Sequence, residues 1–556
     1  MKSTEIADPR TAEPPAAPAS VFRSASIVSA AVALSRVSGL VREMVMARLF
    51  GASLAYDAFL LAFRIPNLTR DLFAEGALSS AFVPKFTEYL NHRSREEAAQ
   101  LANLVATALI MLVGGFCLLG MAASPWLVGL LAPGFHQVPG KFELAVSLTR
   151  VMFPFLLLVA LAAQAMGILN ACGQFGIPAI SSTFFNLGSV VFGLILGLVL
   201  GPQWGLQPIE GMAWGVVGGG ALQMLVQIPA LAKQGFRFRF LIDWQDPGLR
   251  HILALMGPAI LGSAAVQINV MVNTSFAADV LDPLRGHDGP VSWLGYAFRF
   301  MQLPLGLFGV AIASATLPAV SRSAAAGNTE EFRRTLSRSV GMVFLLTVPS
   351  SAGLIILGRS MIGAIYEGGS FNAYDTAQTA LALNGFAFGL VGYAAMKVLT
   401  PAFYALQDSR TPMVISLLSV GVNFFTATTL IRLVGLGHEG LAMTTSAVAV
   451  FGFLTLFWIL RGRLGGINGR ELASSFARIV VAAMAMGLVV YFVNDRILAL
   501  LGPGKLSYLA ALAAAIPGGA AVYWAVCRML DVPELEPVTR SLDRFNPWRR
   551  ATISTR

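Results

Sequence analysis

The sequence predicts an all-α polytopic membrane protein of about 14 transmembrane helices, arranged as two six-helix lobes related by an internal repeat plus two C-terminal helices. Three observations lead there. Apolar runs of about 20 residues recur along the 556-residue chain, each long enough to cross a bilayer as a helix. Only 12% of residues are charged against 56% hydrophobic, and mean hydropathy is +0.70, whereas a soluble domain carries about 25% charge. Clusters of Lys and Arg also punctuate alternate loops between the apolar runs.

The chain opens with "MKSTEIADPRTAEPPAAPAS", which is polar and rich in Pro and Ala. It lacks the basic-then-apolar layout of a cleaved signal peptide, so residues 1–23 are expected to form a disordered cytoplasmic tail. Gly, Pro and charge clusters then delimit spans near 24–50, 55–90, 98–131, 142–172, 176–201, 208–234, 247–280, 290–321, 332–358, 374–407, 411–435, 439–461, 471–495 and 506–530. The second is too long and polar for a plain lipid-facing helix, and Pro66 and Gly76 are expected to bend it. The boundaries give an N-lobe at 24–240, a C-lobe at 241–465, a final helix pair at 466–532 and a cytoplasmic tail at 533–556.

Basic residues set the orientation. Lys85, Arg93 and Arg95 follow span 2; Lys233, Arg237, Arg239 and Arg250 follow span 6; Arg322, Arg333, Arg334 and Arg338 follow span 8; Arg461, Arg463, Arg470 and Arg478 follow span 12. The opposite loops carry isolated cations such as Lys141, Arg285 and Arg359. The positive-inside rule then makes both termini cytoplasmic, and Arg540, Arg544, Arg549 and Arg550 agree. The net charge of +10 is thus partly a topology signal and does not call for nucleic acid.

Internal matches support the repeat. At a shift of 235, "AFR" at 62–64 falls on "AFR" at 297–299 and Leu72-Phe73 falls on Leu307-Phe308. At a shift of 234, Ala77, Ser80, Ala81 and Pro84 fall on Ala311, Ser314, Ala315 and Pro318, and Ala171 and Pro178 fall on Ala405 and Pro412. The copies have the same parity, which makes the repeat parallel about an axis along the membrane normal.

No enzyme chemistry stands out. Cys117, Cys172 and Cys527 lie in apolar runs without metal-ligand spacing and read as small core residues, and the five histidines are scattered. No Gly-rich P-loop is present, which argues against direct ATP hydrolysis. The charges inside the spans are more informative, because each costs roughly 2.5–3.5 kcal/mol at the bilayer centre and so faces a cavity or a partner. Arg36, Arg42 and Glu43 lie in span 1, Arg64, Arg70, Asp71 and Glu75 in span 2, Arg299 in span 8 and Lys397 in span 10. Arg64, Asp71 and Glu75 share one helical face, and so do Arg36 and Glu43. Arg64 and Lys397 read as snorkelling or paired, and Asp71 as neutralising an arginine. Arg36, Arg42, Arg70 and Arg299 outnumber the available carboxylates and come from both repeats. They point to a positive cavity for an anionic substrate, and the planar guanidinium fork suits phosphate.

At these residues the sequence resembles a known family. "SRVSGLVRE" (35–43), "YDAFLLAF" (56–63), "PNLTRDLFAEGALSSAFVP" (66–84) and "FRFMQLPLGLFGVA" (298–311) are similar to the MurJ (MviN) lipid II flippases of bacteria, within the multidrug/oligosaccharidyl-lipid/polysaccharide exporter superfamily. The resemblance covers about 24–530. It implies two six-helix lobes in a V with two extra helices. It also implies transport of lipid II, an undecaprenyl pyrophosphate carrying a disaccharide-pentapeptide, from the inner to the outer leaflet by alternating access. The cavity arginines of the family map to Arg36, Arg42, Arg70 and Arg299, and its acids to Asp57 and Glu75, with Glu43 where Asp is frequent. Phe298 and Gln302 stand where some relatives carry acids. A cation site in the second lobe would fall on Asn273, Asn423, Thr426 and Thr444.

The resulting expectation is a flippase of the bacterial inner membrane. The four arginines would bind the diphosphate, with Ser35, Asn67 and Lys397 in support. Glu43, Asp57 and Glu75 would pair with arginines in one state and release them in the other. Gly39, Pro66, Gly76, Pro258 and Pro304 would permit bending, and spans 13 and 14 would hold the polyprenyl tail. No cofactor is expected; membrane potential or a monovalent cation gradient would drive the cycle. Membrane lipids and cell wall synthesis proteins are the expected partners. The alternatives are a flippase for another polyprenyl-linked oligosaccharide, a cation-coupled multidrug antiporter and a non-transporting scaffold for wall enzymes.

Overall fold

The computed structural model describes residues 18–70 and 78–536. Among them the chain is helical almost throughout and no extended sheet forms. The first half runs α1 (Pro18–Phe50), α2 (Leu54–Arg70), α3 (Ser79–His92), α4 (Arg95–Ala122), α5 (Ser124–Leu131), α6 (Lys141–Met152), α7 (Pro154–Ala171), α8 (Gly176–Leu194), α9 (Pro208–Leu225) and α10 (Ile228–Lys233). The second half runs α11 (Pro247–Asp279), α12 (Pro290–Pro304), α13 (Ala311–Ala325), α14 (Thr329–Tyr366), α15 (Ala373–Ala387), α16 (Leu390–Ala405), α17 (Arg410–Thr428), α18 (His438–Arg463), α19 (Gly469–Leu501) and α20 (Lys505–Met529).

Local chemistry fixes many of these ends. Ser94 Oγ accepts the Glu97 amide at 3.1 Å to start α4, and Asn328 Oδ1 accepts the Glu331 amide at 3.0 Å to start α14. Proline opens α5, α7, α9 and α12 within their first two residues, where its missing N–H has no helical partner to lose. Pro304 closes α12, and the next turn, Leu305–Val310, widens to π geometry.

Each expected span lies on one helix or on consecutive helices. Among the described residues, ten helices are long and apolar enough to cross a membrane, or eleven if α15 and α16, bent by 43°, form one span. The sequence suggested about fourteen; the other three, 24–50, 55–90 and 247–280, correspond to α1, α2 with α3, and α11. Gly76, Asp71, Glu75 and most of the two tails lie outside the described residues.

The repeat is visible in the elements. α4 and α14 begin 234 residues apart, at Arg95 and Thr329, and α8 and α17 do the same, at Gly176 and Arg410. Both α8 and α17 run into a π segment, Ile195–Leu200 and Thr429–Leu433, again 234 residues apart at their starts.

The chain forms two compact units. The first comprises Pro66–Ala122, Arg150–Ile260 and the described part of Met1–Glu43. Its tightest packing joins α8 to α9. Gly211, Gly215 and Gly219 stand four apart on α9, and a methyl group on each would run into Gly197, Gly193 or Ser189 across the interface. Small residues at that spacing let two backbones approach where lipid offers no hydrophobic drive. The second unit comprises Met44–Ile65, Ala123–Thr149 and Leu261–Arg556. Its core gathers Phe332, Leu336, Val340, Leu399, Phe403, Leu456 and Ile479, closed at one end by Val532 and Leu535 after α20. α19 and α20 pack on α14 through Leu357, Met486, Val490 and Ala515. Cys117 and Cys527 are buried and Cys172 is half-buried, all as free thiols.

Candidate functional site

The most elaborate polar centre lies in the second unit, where the first turns of α2, α6 and α12 converge. α12 begins after Gly289, and its first amides have no helical acceptor. A carboxylate from another helix supplies one. Asp57, fully buried, accepts from the Gly289 amide at 2.8 Å, from the Ser292 amide at 2.9 Å and from the Ser292 hydroxyl. A negative charge there also meets the positive end of the α12 dipole.

The counter-charge is Lys141, also fully buried. Its ammonium donates to Asp57 at 2.9 Å, to the His287 carbonyl at 2.8 Å and to Asp288 at 2.9 Å. An ammonium has three donors, so Lys141 is saturated. It also lies 4.5 Å from the centre of the Phe135 ring. The expected arginine partner for Asp57 is thus a lysine in this structure, supplied by a loop cation that looked isolated in sequence.

A second set of contacts borders the first. Arg285 pairs with Asp375 at 2.8 Å and donates to the Ala52 carbonyl at 2.9 Å. Trp293 donates to Asp375 at 3.0 Å, and the Tyr374 hydroxyl donates to Asp282 at 2.8 Å. Tyr296 donates to the Gly51 carbonyl at 3.1 Å and stacks on Tyr56 at 5.1 Å. Gly51, at φ +58°, lies so close to the Ser370 carbonyl that a Cβ has no room. This packing walls the buried charges off from water.

A cavity of about 210 Å³ opens elsewhere in the same unit, lined by Arg64, Asn269, Asn273, Ser419, Asn423 and Thr445 among apolar neighbours. Hydrogen bonds from their Nδ2 atoms hold the three asparagines in place. Asn269 Nδ2 donates to Ser419 Oγ at 3.0 Å, Asn423 Nδ2 to the Asn269 carbonyl at 3.2 Å, and Asn273 Nδ2 to Thr445 Oγ1 at 3.1 Å. Their amide oxygens are buried without a hydrogen-bond partner. Neutral oxygens of this kind suit a hard cation, although the Arg64 guanidinium shares the wall. Of the four residues expected to hold a cation, Asn273 and Asn423 line this cavity. Thr444 Oγ1 bonds back to the Gly440 carbonyl of its own helix, and neither it nor Thr426 lines the cavity. Asn269 and Thr445 do, and the sequence reading missed both. Among the described residues no cluster of three His, Cys, Asp or Glu side chains could hold a metal ion.

The expected substrate arginines divide between the units: Arg36, Arg42 and Arg70 in the first, Arg299 in the second. Arg36 and Arg299 are exposed on apolar helices, as is Lys397. Arg42 is half-buried, 5.3 Å from the centre of the Phe185 ring, beside buried Glu43. Ser35 offers its carbonyl to Asn186 at 3.1 Å. Arg70 and Asn67 are half-buried towards the end of α2. Phe298 packs edge-on against Phe386 at 5.4 Å and lines the cavity, and Gln302 is exposed.

Apolar spans around buried charge and amide clusters define a polytopic helical membrane protein of the transporter kind, and solved structures share the fold. A structure titled "Lipid II flippase MurJ, inward closed conformation" superposes with a TM-score of 0.72 at 25% identity, covering 90% of this chain and 99% of that one. An inward-facing multidrug resistance MATE family transporter of the MOP superfamily gives 0.62 at 16% identity, covering 80% and 95%. The family described as "Lipid II flippase MurJ" matches residues 46–511. The lipid II flippase MurJ of Burkholderia cenocepacia is 35% identical over 448 residues, 80% of this chain and 84% of that protein. The probable lipid II flippase MurJ of Vibrio cholerae is 34% identical over 522 residues, 92% and 96% respectively. The chain belongs to the MurJ family and is a multi-pass bacterial membrane protein.

Proposed function

We propose that this chain flips lipid II from the inner to the outer leaflet of the bacterial inner membrane, with both termini cytoplasmic, for cell wall synthesis. The family match across 46–511, with relatives of that name aligned over most of their length, carries this reading. The diphosphate is the part of the lipid that hydrocarbon rejects, and Arg36, Arg42, Arg70 and Arg299 take it. Each arginine can offer parallel charge-assisted hydrogen bonds, stronger than neutral ones. Exposed guanidiniums on the apolar helices α1 and α12 support this assignment. Glu43 and Glu75 adjust the arginine pairing, with Ser35, Asn67 and Lys397 in support. Asp57 acts with Lys141 instead of an arginine: with the termini inside, their cluster faces outwards and closes that side. Asn269, Asn273, Asn423 and Thr445 offer ligands to a monovalent cation whose gradient, or the membrane potential, drives the cycle. α19 and α20 carry the polyprenyl tail.

The test is depletion in the native host with complementation, reading lipid II exposed on the outer leaflet. Exposure should fall on depletion and return with the wild type, while Arg36→Ala, Arg42→Ala, Arg70→Ala and Arg299→Ala, each expressed and inserted, fail to restore it. Unchanged outward lipid II on depletion rejects the substrate; full rescue by all four variants rejects the site.

A further inference from the structure

The segment joining α10 to α11 carries an unusual surface. Phe236 is buried, 5.5 Å from the Phe86 ring centre, and Arg95 bonds the preceding Gln234 at 3.0 Å. Beyond Phe236 the chain is non-helical, and Phe238, Phe240, Ile242 and Trp244 are 58%, 58%, 57% and 41% exposed. These positions alternate with Arg237, Arg239, Leu241 and Asp243, as one face of an extended chain does. Four large apolar side chains in a row are an expensive surface in water.

The main chain ties them to α4. The Arg239 amide donates to Asn103 Oδ1 at 3.0 Å and the Leu241 amide to Thr107 Oγ1 at 3.2 Å, both on α4. α4 has 28 residues, about 42 Å at ~1.5 Å per residue, against a hydrocarbon layer of ~30 Å. Arg95, Glu96, Glu97 and Gln100 keep its first turns among the headgroups, and the apolar stretch from Leu101 to Ala122 is long enough to cross the hydrocarbon. Asn103 and Thr107 lie about 12 and 18 Å from the start of α4. The linker therefore rides beside the first apolar turns of α4, at the headgroup boundary, where side chains of α4 bond its amides. Next to it, α4 and α11 enclose a wholly apolar cleft of about 260 Å³, lined by Val105, Ala108, Leu112, Leu249, Leu253 and Met256 among others. Exposed Arg237, Arg239 and Arg250 flank this region.

We propose that the 236–244 segment is a lipid-inserted strip that binds an anionic phospholipid, its phosphate at Arg237, Arg239 and Arg250 and an acyl chain in the cleft between α4 and α11. Aromatic rings seated at the headgroup boundary with cations snorkelling to phosphate are the usual chemistry of an interface. The joint between the two halves of the chain is thereby tied to the bilayer. This holds whatever the protein transports.

The test uses the full chain in phosphatidylcholine vesicles with or without phosphatidylglycerol, with bromine on the acyl chains of one or the other lipid. Subtracting the Trp244→Phe signal isolates the fluorescence of Trp244. Brominated phosphatidylglycerol should quench it more than brominated phosphatidylcholine at equal mole fraction, since each cation favours anionic lipid about fivefold. Arg237→Gln, Arg239→Gln and Arg250→Gln together should erase the difference. Quenching by aqueous acrylamide and not by brominated chains means water or a protein covers the strip, and overturns the inference. Equal quenching by the two brominated lipids in the wild type overturns the anionic preference. Ala108→Phe, which fills the cleft, and Leu112→Asn, which makes its exposed rim polar, should each reduce phosphatidylglycerol retained in native mass spectrometry. Undiminished retention in either folded variant overturns the acyl-chain seat.

Discussion

Lys141→Met is the sharpest perturbation of the buried charge cluster. Methionine keeps much of the side-chain volume and removes the ammonium. Asp57 and Lys141 are both fully buried, so water does not replace the hydrogen bond that Asp57 loses, whereas Asp288, 29% exposed, can be solvated. Asp57 keeps the Gly289 and Ser292 donors, which softens the loss without neutralising the charge. Breaking one side of a buried pair costs about 3–5 kcal/mol, a hundredfold or more in any equilibrium between joined and separated forms. The assay is a thermal-stability cycle in detergent with Lys141→Met, Asp57→Asn and the double variant. Each single variant should be destabilised, and the double less than the sum, because removing both partners leaves no orphan charge at Asp57. Two single effects that add within ~0.5 kcal/mol would refute the coupling, and a wild-type melt for Lys141→Met would refute the stabilising role.

Gly51→Ala should cost about 1–3 kcal/mol in the same melts, since φ +58° is unfavourable with a side chain and the Ser370 carbonyl occupies its space. Asp408, in the turn between α16 and α17, is held at about 2, below the ordinary 3.8, chiefly by Thr411 hydrogen bonds and further by Arg463. A depressed carboxyl stabilises above its ordinary value and loses that stabilisation as pH falls from about 4 through 2, so Asp408→Asn should flatten the acid limb of a pH–stability curve. Sodium should raise the melting temperature of the wild type, and Asn423→Ala should abolish that rise; a melting temperature indifferent to sodium excludes the amide cavity as a sodium site. Alanine at Arg36, Arg42, Arg70 or Arg299 should eliminate rescue of outward lipid II in depleted cells while leaving insertion intact.

The helices were legible because their signal is local. Apolar length and breakers such as Pro208, at the start of the 208–234 span, place a span without knowledge of its neighbours, and Arg95 and Thr329 mark matching helix starts as the repeat requires. The cluster was half legible. Asp57 stood out through its motif, but Lys141 is 84 residues away and Ser292 235 residues away, and one sequence does not show which distant positions meet. Lys141 and Arg285 were read as stray loop cations. Their weak signal was that a positive charge on a cation-poor side needs a reason, and each proves to hold a buried carboxylate. Asn269 and Thr445 were missed because neutral amides and hydroxyls are ordinary in transmembrane helices until their orphaned oxygens are seen to share one cavity.

The carboxylate of Asp57 standing at the first turn of α12 also has a kinetic consequence. Any motion that draws α2 away from α12 must strip the Gly289 and Ser292 donors from Asp57, and the Lys141 ammonium must leave either Asp57 or the His287 and Asp288 oxygens. The Gly289 and Ser292 amides are then left without an acceptor unless solvent enters as they separate. Entry of water is thus part of the barrier, and the Tyr56, Tyr296 and Trp293 rings that exclude it act as a brake on the opening rate as well as a support for the closed form.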